Sequence, residues 1–184
     1  MSPFLLGITG FSFLIFFDIC QIHSKKNLSV ITSIIGYCCV LAALIFLIVT
    51  AKIRISSPYI LVLGIIITAL FFSLMIYSIL IEIPLFSAYQ SPGNRRTYRQ
   101  GSYRIVRHPG FLWFFFMICA LNFLFRSTNI LPVSLSLVIM NFILIWAEDT
   151  FFFPAMFSDY TEYKKEVPFI IPKPGLFNSI PGDR

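Results

Sequence analysis

An arginine, a histidine and a proline stand directly before an aromatic run in the segment Arg107–Gly110, which reads RHPG and leads into FLWFFF. Proline disfavours a helical conformation at the residue before it and is favourable in the first turn of a helix. A helix is therefore predicted to begin at Pro109. Its free amide groups and positive dipole end suit an anionic group such as a carboxylate, with Arg107 and His108 beside it.

Two further polar segments follow later in the chain. Glu148 and Asp149 end an apolar run, and two carboxylates there can hold an ammonium group or ribose hydroxyls. The segment Asp159–Pro168, DYTEYKKEVP, places Tyr160 and Tyr163 one helical turn apart with lysines behind them, which is typical of an amphipathic helix on anionic lipid. Taken alone, each segment also fits a structural role: an interfacial helix cap, neutralisation of nearby arginines, or membrane anchoring.

The elements that position these segments are membrane helices. Apolar residues make up 58% of the 184 residues and charged residues only 12%, against roughly 25% charged in soluble domains. A helix needs about 20 residues to cross a bilayer core, and the fourth apolar run is short for a span unless it tilts little, is flanked by snorkelling residues or is shielded by protein. An all-α polytopic bundle of about five transmembrane helices is predicted, from apolar runs at Phe4–Ile19, Ile31–Val49, Tyr59–Phe86, Phe111–Phe125 and Ile130–Ala147.

Basic residues are distributed unevenly between the two sides that five spans define. The opposite side holds Lys52, Arg54 and Arg126, whereas eleven of the fourteen cations share one side. The positive-inside rule then places the N-terminus outside and the C-terminus in the cytosol, and the low charge and compactness favour a bacterial inner membrane. The net charge of +6 thus indicates membrane orientation and not nucleic acid binding. The eleven are Lys25, Lys26, Arg95, Arg96, Arg99, Arg104, Arg107, Lys164, Lys165, Lys173 and Arg184.

Acidic residues and a long polar loop fall on the same side as these cations. Carboxylates at membrane depth are costly unless they are paired or face a wet cavity, so a polar pocket is expected at the cytoplasmic end of the bundle. The loop Ser87–Gly110 carries the turn signal Pro92-Gly93 and is too long for a mere connector. In contrast, Arg126–Asn129 predicts a short turn and an antiparallel hairpin. The acids are Asp18, Glu82, Glu148 and Asp149.

In order and spacing, these segments resemble the isoprenylcysteine carboxyl methyltransferase and phospholipid methyltransferase group of integral membrane enzymes. That group has a Gly-x-Tyr, an Arg-His-Pro-x-Tyr, a pair of acids and a Tyr-x-x-Tyr before Val-Pro. The resemblance covers roughly the last 90 residues. The matching residues are Gly101, Tyr103, Arg107, His108, Pro109, Glu148, Asp149, Tyr160, Glu162, Tyr163, Lys164, Lys165, Val167 and Pro168.

The resemblance implies one domain over residues 1–184, in which residues 1–86 form N-terminal helices and residues 87–184 bind S-adenosylmethionine. The loop and the C-terminal interfacial helix would cap the cofactor pocket, and a lipophilic or lipid-linked methyl acceptor would enter from the bilayer. Within this pocket we predict Arg107, His108 and Glu148 as catalytic residues. Arg107 or Arg104 would pair with an acceptor carboxylate, and His108 would be the base for an amine or thiol acceptor. The implied cofactor-binding residues are Arg95, Arg96, Thr97, Tyr98, Tyr103, His108, Pro109, Gly110, Phe111 and Glu148.

Four departures separate the chain from the group's pattern. Phe111 replaces a tyrosine, Trp113 replaces a small residue, and Met156-Phe157 replace Phe-Gly, so the turn there lacks glycine's freedom at positive φ. Leu144 stands where carboxyl methyltransferases carry an arginine, which argues against a prenylcysteine carboxylate as acceptor.

Two other functions stay open on the sequence: a sterol-type membrane reductase that uses NADPH, and a non-catalytic membrane scaffold of the same fold. The four cysteines lack the paired spacing of a zinc or redox site, so no metal is predicted. The methyl acceptor and the oligomeric state are not determined by the sequence.

Overall fold

The computed structural model describes residues 2–51, 57–83, 95–125 and 130–172. Within these ranges the chain is helical apart from its connections, with one isolated parallel β-bridge between Arg95 and Phe157. A 3₁₀ turn at Gly101–Arg104 precedes the fourth helix. The helices are α1 (Pro3–Ile22), α2 (Lys26–Thr50), α3 (Pro58–Ile76), α4 (Pro109–Phe125), α5 (Ile130–Ala147), α6 (Phe153–Met156) and α7 (Tyr160–Glu166).

Within the described ranges, four helical segments are long and apolar enough to cross a membrane: Pro3–Ile22, Lys26–Thr50, Pro58–Ile81 and Ile130–Met156. The predicted helical membrane protein is confirmed to that extent. The fourth apolar run forms α4, which has 17 residues and is shorter than these four segments.

Three of these apolar helices begin with a proline in their first turn, namely Pro3, Pro58 and Pro109. Proline needs no hydrogen-bond acceptor there, because the first amide groups of a helix have no partner within it. The start of α4 at Pro109 is the one predicted from the RHPG segment. At α1, the Ser2 side chain also accepts a hydrogen bond of 3.3 Å from the backbone amide of Leu5.

The helices pack through an apolar core shared by α1, α2, α4 and α5. Phe11 of α1 meets Phe114 of α4 edge to face, with ring centroids 6.5 Å apart, and Leu137 of α5 is fully buried beside them. A close approach of α1 and α2 depends on Gly10, since a Cβ there would lie 3.0 Å from the Gly36 carbonyl oxygen. The α1–α2 pair and the α4–α5 pair therefore form one bundle.

The residues at the start of α4 lie beside those at the end of α5, so the two helices run antiparallel, as predicted. The C-terminal end of α1 meets the same region, because Asp18 interacts electrostatically with Glu148. We call this part of the bundle the site end. The C-terminal segment returns to it, since the Arg107 amide donates a hydrogen bond of 3.0 Å to the Pro168 carbonyl.

Several sequence predictions fall outside the described residues. They are the turn at Pro92-Gly93, the turn at Arg126–Asn129, the end of the third apolar run at Pro84–Phe86, the first part of the loop up to Asn94, and the cations Lys52, Arg54, Arg126, Lys173 and Arg184.

Candidate functional site

Two of the long helices change geometry at the site end. α3 continues into a π-helical turn at Tyr77–Ile81, and α5 continues into another at Glu148–Phe152. Such single turns are rare and frequently occur at functional sites, because the wider turn re-aims the side chains that follow it. Glu82 comes directly after the first turn, and Glu148 and Asp149 open the second.

Asp149 is the centre of a cluster of charged and polar side chains, which we call the Asp149 cluster. Its Oδ1 lies 3.0 Å from Arg107 Nη1 and accepts a hydrogen bond of 2.7 Å from the Tyr160 hydroxyl. Its Oδ2 lies 2.9 Å from Lys164 Nζ, and His108 Nε2 lies 3.6 Å from Oδ1. Asp149 is 7% exposed, and these contacts balance the charge of its buried carboxylate. It joins the end of α5 to the start of α4 and to α7.

His108 is held between aromatic rings at the entrance to α4. Its imidazole stacks on Phe153 with centroids 5.7 Å apart and meets Phe169 edge on at 5.1 Å. Nδ1 lies 3.5 Å from Glu148 Oε2, while the buried Nε2 has no hydrogen-bond partner among the described residues. Burial lowers the pKa of His108 below 6.5, although Asp149 opposes that shift. The imidazole is therefore neutral near pH 7 and able to accept a proton.

Glu148 has acidic neighbours, whereas the ion pairs of Arg107 and Lys164 go to Asp149. The Glu148 carboxylate interacts electrostatically with Asp18 of α1 and with Asp149, and it also acts on the phenols of Tyr37 and Tyr103. We call Asp18 and Glu148 the inner acidic pair. Asp18 is 3% exposed, and its buried Oδ2 makes no hydrogen bond within the part of the chain that the structure describes.

The Gly-x-Tyr segment binds Glu82, which follows the π-helical turn that continues α3. Glu82 accepts hydrogen bonds from both the amide and the hydroxyl of Ser102. Gly101 has a φ of +54°, and a Cβ at this position would collide with the Glu82 carboxylate. Both constraints select glycine. The turn directs Tyr103 inward, where its hydroxyl donates a hydrogen bond of 3.1 Å to the Ser78 carbonyl.

The C-terminal segment packs over the loop through three kinds of contact. The Tyr163 hydroxyl donates a hydrogen bond of 2.5 Å to the Tyr103 carbonyl. The Thr97 amide donates one of 2.8 Å to Asp159 Oδ1, and Arg99 forms an ion pair with the other oxygen at 3.1 Å. Burial alone would raise the pKa of Asp159, but the hydrogen bonds from Thr97 and Arg99 lower it overall. Arg99 also reaches Glu166 at 2.7 Å, so loop and tail are closely joined.

A polar groove of about 550 Å³ runs along this junction, and we call it the loop–tail groove. It holds both basic and acidic side chains, which suits a ligand with both charges or an ordered water layer. The lining residues are Arg96, Thr97, Tyr98, Arg99, Gln100, Ser158, Asp159 and Glu162.

The predicted cofactor residues thus fall into two groups. Tyr103, His108 and Glu148 lie around the interior of the site end, whereas Arg96, Thr97 and Tyr98 line the loop–tail groove. The Tyr98 and Tyr103 rings connect the groups, edge to face with centroids 6.0 Å apart.

The remaining predicted cofactor residues are involved in packing. Arg95 is buried and donates a hydrogen bond of 3.0 Å to Gln21. Pro109 is fully buried, and Gly110 packs closely on Ile79. Phe111 packs against Phe115 and Phe142.

The departures from the group's pattern have structural explanations. Trp113 stacks on Phe71 with centroids 6.3 Å apart, and Leu144 is buried in the apolar core. Met156 is buried next to the Arg95 guanidinium. Phe157, in place of glycine, has an ordinary extended conformation with φ of −115°, so no positive φ is required there.

The predicted site residues did not include several polar residues of the site end, among them Asp18, Asp149 and Gln21. Asp18 was expected only as one of several acids near a pocket, and Asp149 only as a motif residue. Gln21 was missed altogether. It follows Asp18 by three positions, so both lie on one helix face, and this spacing of polar residues in an apolar helix is the signal that would have found it.

Comparison with protein-family models, with curated proteins and with solved structures finds no match to this chain.

Proposed function

We propose that the protein is an integral membrane methyltransferase that uses S-adenosylmethionine and methylates a lipophilic or lipid-linked acceptor. The observation on which the proposal rests is the pairing of His108 with Glu148, 3.5 Å apart, under a loop and a C-terminal helix that fold over the same end of the bundle. The residues that form this arrangement are those of the motif set that resembles the methyltransferase group.

The site offers the polar groups that such a cofactor needs. Its positive charge requires acceptors, and the inner acidic pair has a buried carboxylate oxygen with no partner in the described ranges. Its adenosine requires aromatic and apolar surface beside polar edges, which Tyr103, Tyr98 and the loop–tail groove offer. The side chains present therefore fit the cofactor's chemistry.

When bound, S-adenosylmethionine provides an electrophilic methyl group for in-line displacement. The protein's own contribution is to hold the reactants at attack distance and to exclude water, which can lower the barrier by about 7 to 11 kcal/mol. His108 is the candidate base for an amine or thiol acceptor, since its imidazole is neutral and Nε2, which lies 3.6 Å from Asp149 Oδ1, makes no hydrogen bond within the described residues. Arg107 is bound to Asp149, which favours a positioning role over binding of an acceptor carboxylate.

We further propose five membrane spans, with α4 as the fourth. α4 is antiparallel to α5 and packs along α3, so it shares the depth of its neighbours although it has only 17 residues. At 1.5 Å per residue this length covers about 25 Å, which a modestly thinned bilayer accommodates. The site end then faces the cytosol, as the distribution of cations indicates.

Calorimetry on the detergent-solubilised full chain tests the function. We expect S-adenosylhomocysteine to bind with micromolar affinity and NADPH not to bind. Binding of NADPH alone would instead favour a sterol-type reductase, and binding of neither would favour a non-catalytic scaffold. Transfer of a labelled methyl group from S-adenosylmethionine into the lipid fraction of membranes containing the protein is the corresponding activity assay.

A further inference from the structure

Asp18 places a carboxylate in the buried part of α1. It is 3% exposed, and its Oδ2 has no hydrogen-bond partner within the described ranges. A charged side chain inside a membrane helix is costly and usually belongs to a functional site. The residue lies outside the segments that resemble the methyltransferase group, so the resemblance assigns it no role.

The surroundings of Asp18 increase the electrostatic cost. Glu148 is its electrostatic neighbour, and the charges that act on Glu148 are those of Asp18 and Asp149. Among the described basic residues of the site end, Arg107 and Lys164 are bound to Asp149, and Arg95 donates a hydrogen bond to Gln21. Two neighbouring carboxylates in a low-dielectric site are costly to ionise together unless a positive group comes between them.

Aromatic rings complete the environment of the inner acidic pair. The phenols of Tyr37 and Tyr103 are both within electrostatic reach of Glu148, and the Tyr103 hydroxyl is engaged by the Ser78 carbonyl. Carboxylates combined with aromatic faces are the usual recognition chemistry for an organic cation.

We propose that Asp18 and Glu148 together bind the positive charge of the ligand, so that α1 contributes a binding residue to the site formed by α4, α5 and the loop. The inference rests on the proposed function and deepens it. The group recognised is an organic cation, either the sulfonium or the ammonium of the cofactor.

The test compares Asp18→Asn with the wild-type protein by calorimetry on the detergent-solubilised full chain, with three ligands. S-Adenosylmethionine carries both a sulfonium and an ammonium, S-adenosylhomocysteine only the ammonium, and 5′-methylthioadenosine neither. We expect Asp18→Asn to weaken the binding of S-adenosylmethionine about tenfold or more, because its positive group loses a charged partner. Binding of 5′-methylthioadenosine, which has neither cation, should weaken less than twofold. Ser12→Ala, which removes a polar group at an exposed position of the same helix, should leave all three affinities unchanged.

The pattern of losses identifies the recognised cation. If Asp18→Asn lowers the affinity for both S-adenosylmethionine and S-adenosylhomocysteine, Asp18 binds the ammonium. If it lowers the affinity for S-adenosylmethionine alone, Asp18 binds the sulfonium. Equal losses for all three ligands, or no loss at all, overturn the inference while leaving the proposed function in place. Failure of the wild-type protein to bind any of the three overturns the proposed function and this inference with it.

Protein stability gives a second readout. Since Asp18 Oδ2 makes no hydrogen bond within the described ranges, Asp18→Asn should leave the melting temperature of the ligand-free protein unchanged or raise it, and Asp18→Ser, with a smaller side chain, should still insert and fold. If neither variant folds, Asp18 is a structural residue and the inference is overturned.

Discussion

Lys164 of α7 lies with its Nζ 2.9 Å from Asp149 Oδ2 and 3.0 Å from the Asp149 backbone carbonyl. One lysine thus binds both the side chain and the main chain of Asp149, in the π-helical turn that follows α5. Tyr160, on the same short helix, donates a hydrogen bond to Asp149 Oδ1. Asp149 therefore attaches the C-terminal helix α7, which has only seven residues, to the end of α5.

Removal of the Asp149 charge should release this attachment. We expect Asp149→Asn to lower the free energy of unfolding by about 3 kcal/mol, because the buried Arg107 loses its counter-ion. Hydrogen exchange should become faster in α7. Lys164→Gln removes a partly exposed partner and should cost about 1 kcal/mol or less. Unchanged exchange in α7 of the Asp149 variant would show that other contacts hold the tail.

Glu148→Gln should weaken ligand binding without lowering stability. The ion pairs of Arg107 and Lys164 go to Asp149, and Glu148 lies near other acids, so its neutralisation should leave the melting temperature unchanged or raise it. Binding of S-adenosylmethionine should weaken about tenfold or more, since a buried charge partner is lost. Calorimetry and thermal unfolding on the same preparation separate the two effects. A variant that loses stability but keeps its affinity would contradict the site.

Gly101→Ala should destabilise the loop. The φ of +54° costs a residue with a side chain about 1 to 2 kcal/mol, and the new Cβ would displace Glu82 from Ser102. The melting temperature should fall accordingly. Gln100→Ala, at the exposed neighbouring position, is the matched control and should change stability by no more than about 0.5 kcal/mol. Equal effects of the two substitutions would show that the turn tolerates a side chain.

His108 should make stability sensitive to mild acid. Its pKa in the folded protein is below 6.5 because of burial, so the unfolded chain binds more protons as the pH falls. Stability is therefore fully present above pH 6.5 and is lost towards the lower folded pKa. Protonation is opposed by Arg107 and Lys164 and favoured by Asp149.

Chemical unfolding of the detergent-solubilised protein between pH 7.5 and about 5 measures this loss. His108→Gln should flatten the acid side of the profile. His23→Gln removes the chain's other histidine, which is exposed, and should keep the wild-type slope. An unchanged slope in the His108 variant would assign the acid sensitivity to other groups.

The proposed topology predicts opposite labelling of the two ends of the chain. In a background without the four native cysteines, Ser2→Cys should react with an impermeant maleimide in intact cells, and Lys165→Cys should react only after lysis. Both positions are exposed in the structure, so accessibility reports sidedness. Labelling of both from the same side would rule out an odd number of spans.

The sequence alone determined those features whose causes are local. Apolar runs predicted the helices, since length and composition decide whether a helix suits a bilayer. Pro109 predicted the start of α4, because proline's ring and missing amide favour the first turn. The tyrosine and lysine spacing, together with Pro168, predicted the short helix α7, which the structure has at Tyr160–Glu166.

Only the tertiary structure decided how the polar residues are paired. Glu148 and Asp149 are adjacent in the chain, yet Glu148 interacts electrostatically with Asp18, while Asp149 forms ion pairs with Lys164 and Arg107. Their directions depend on a π-helical turn, which no residue type in the segment signals. The partner of each carboxylate comes from a distant part of the chain, and sequence spacing carries no information on such contacts until the helices are packed.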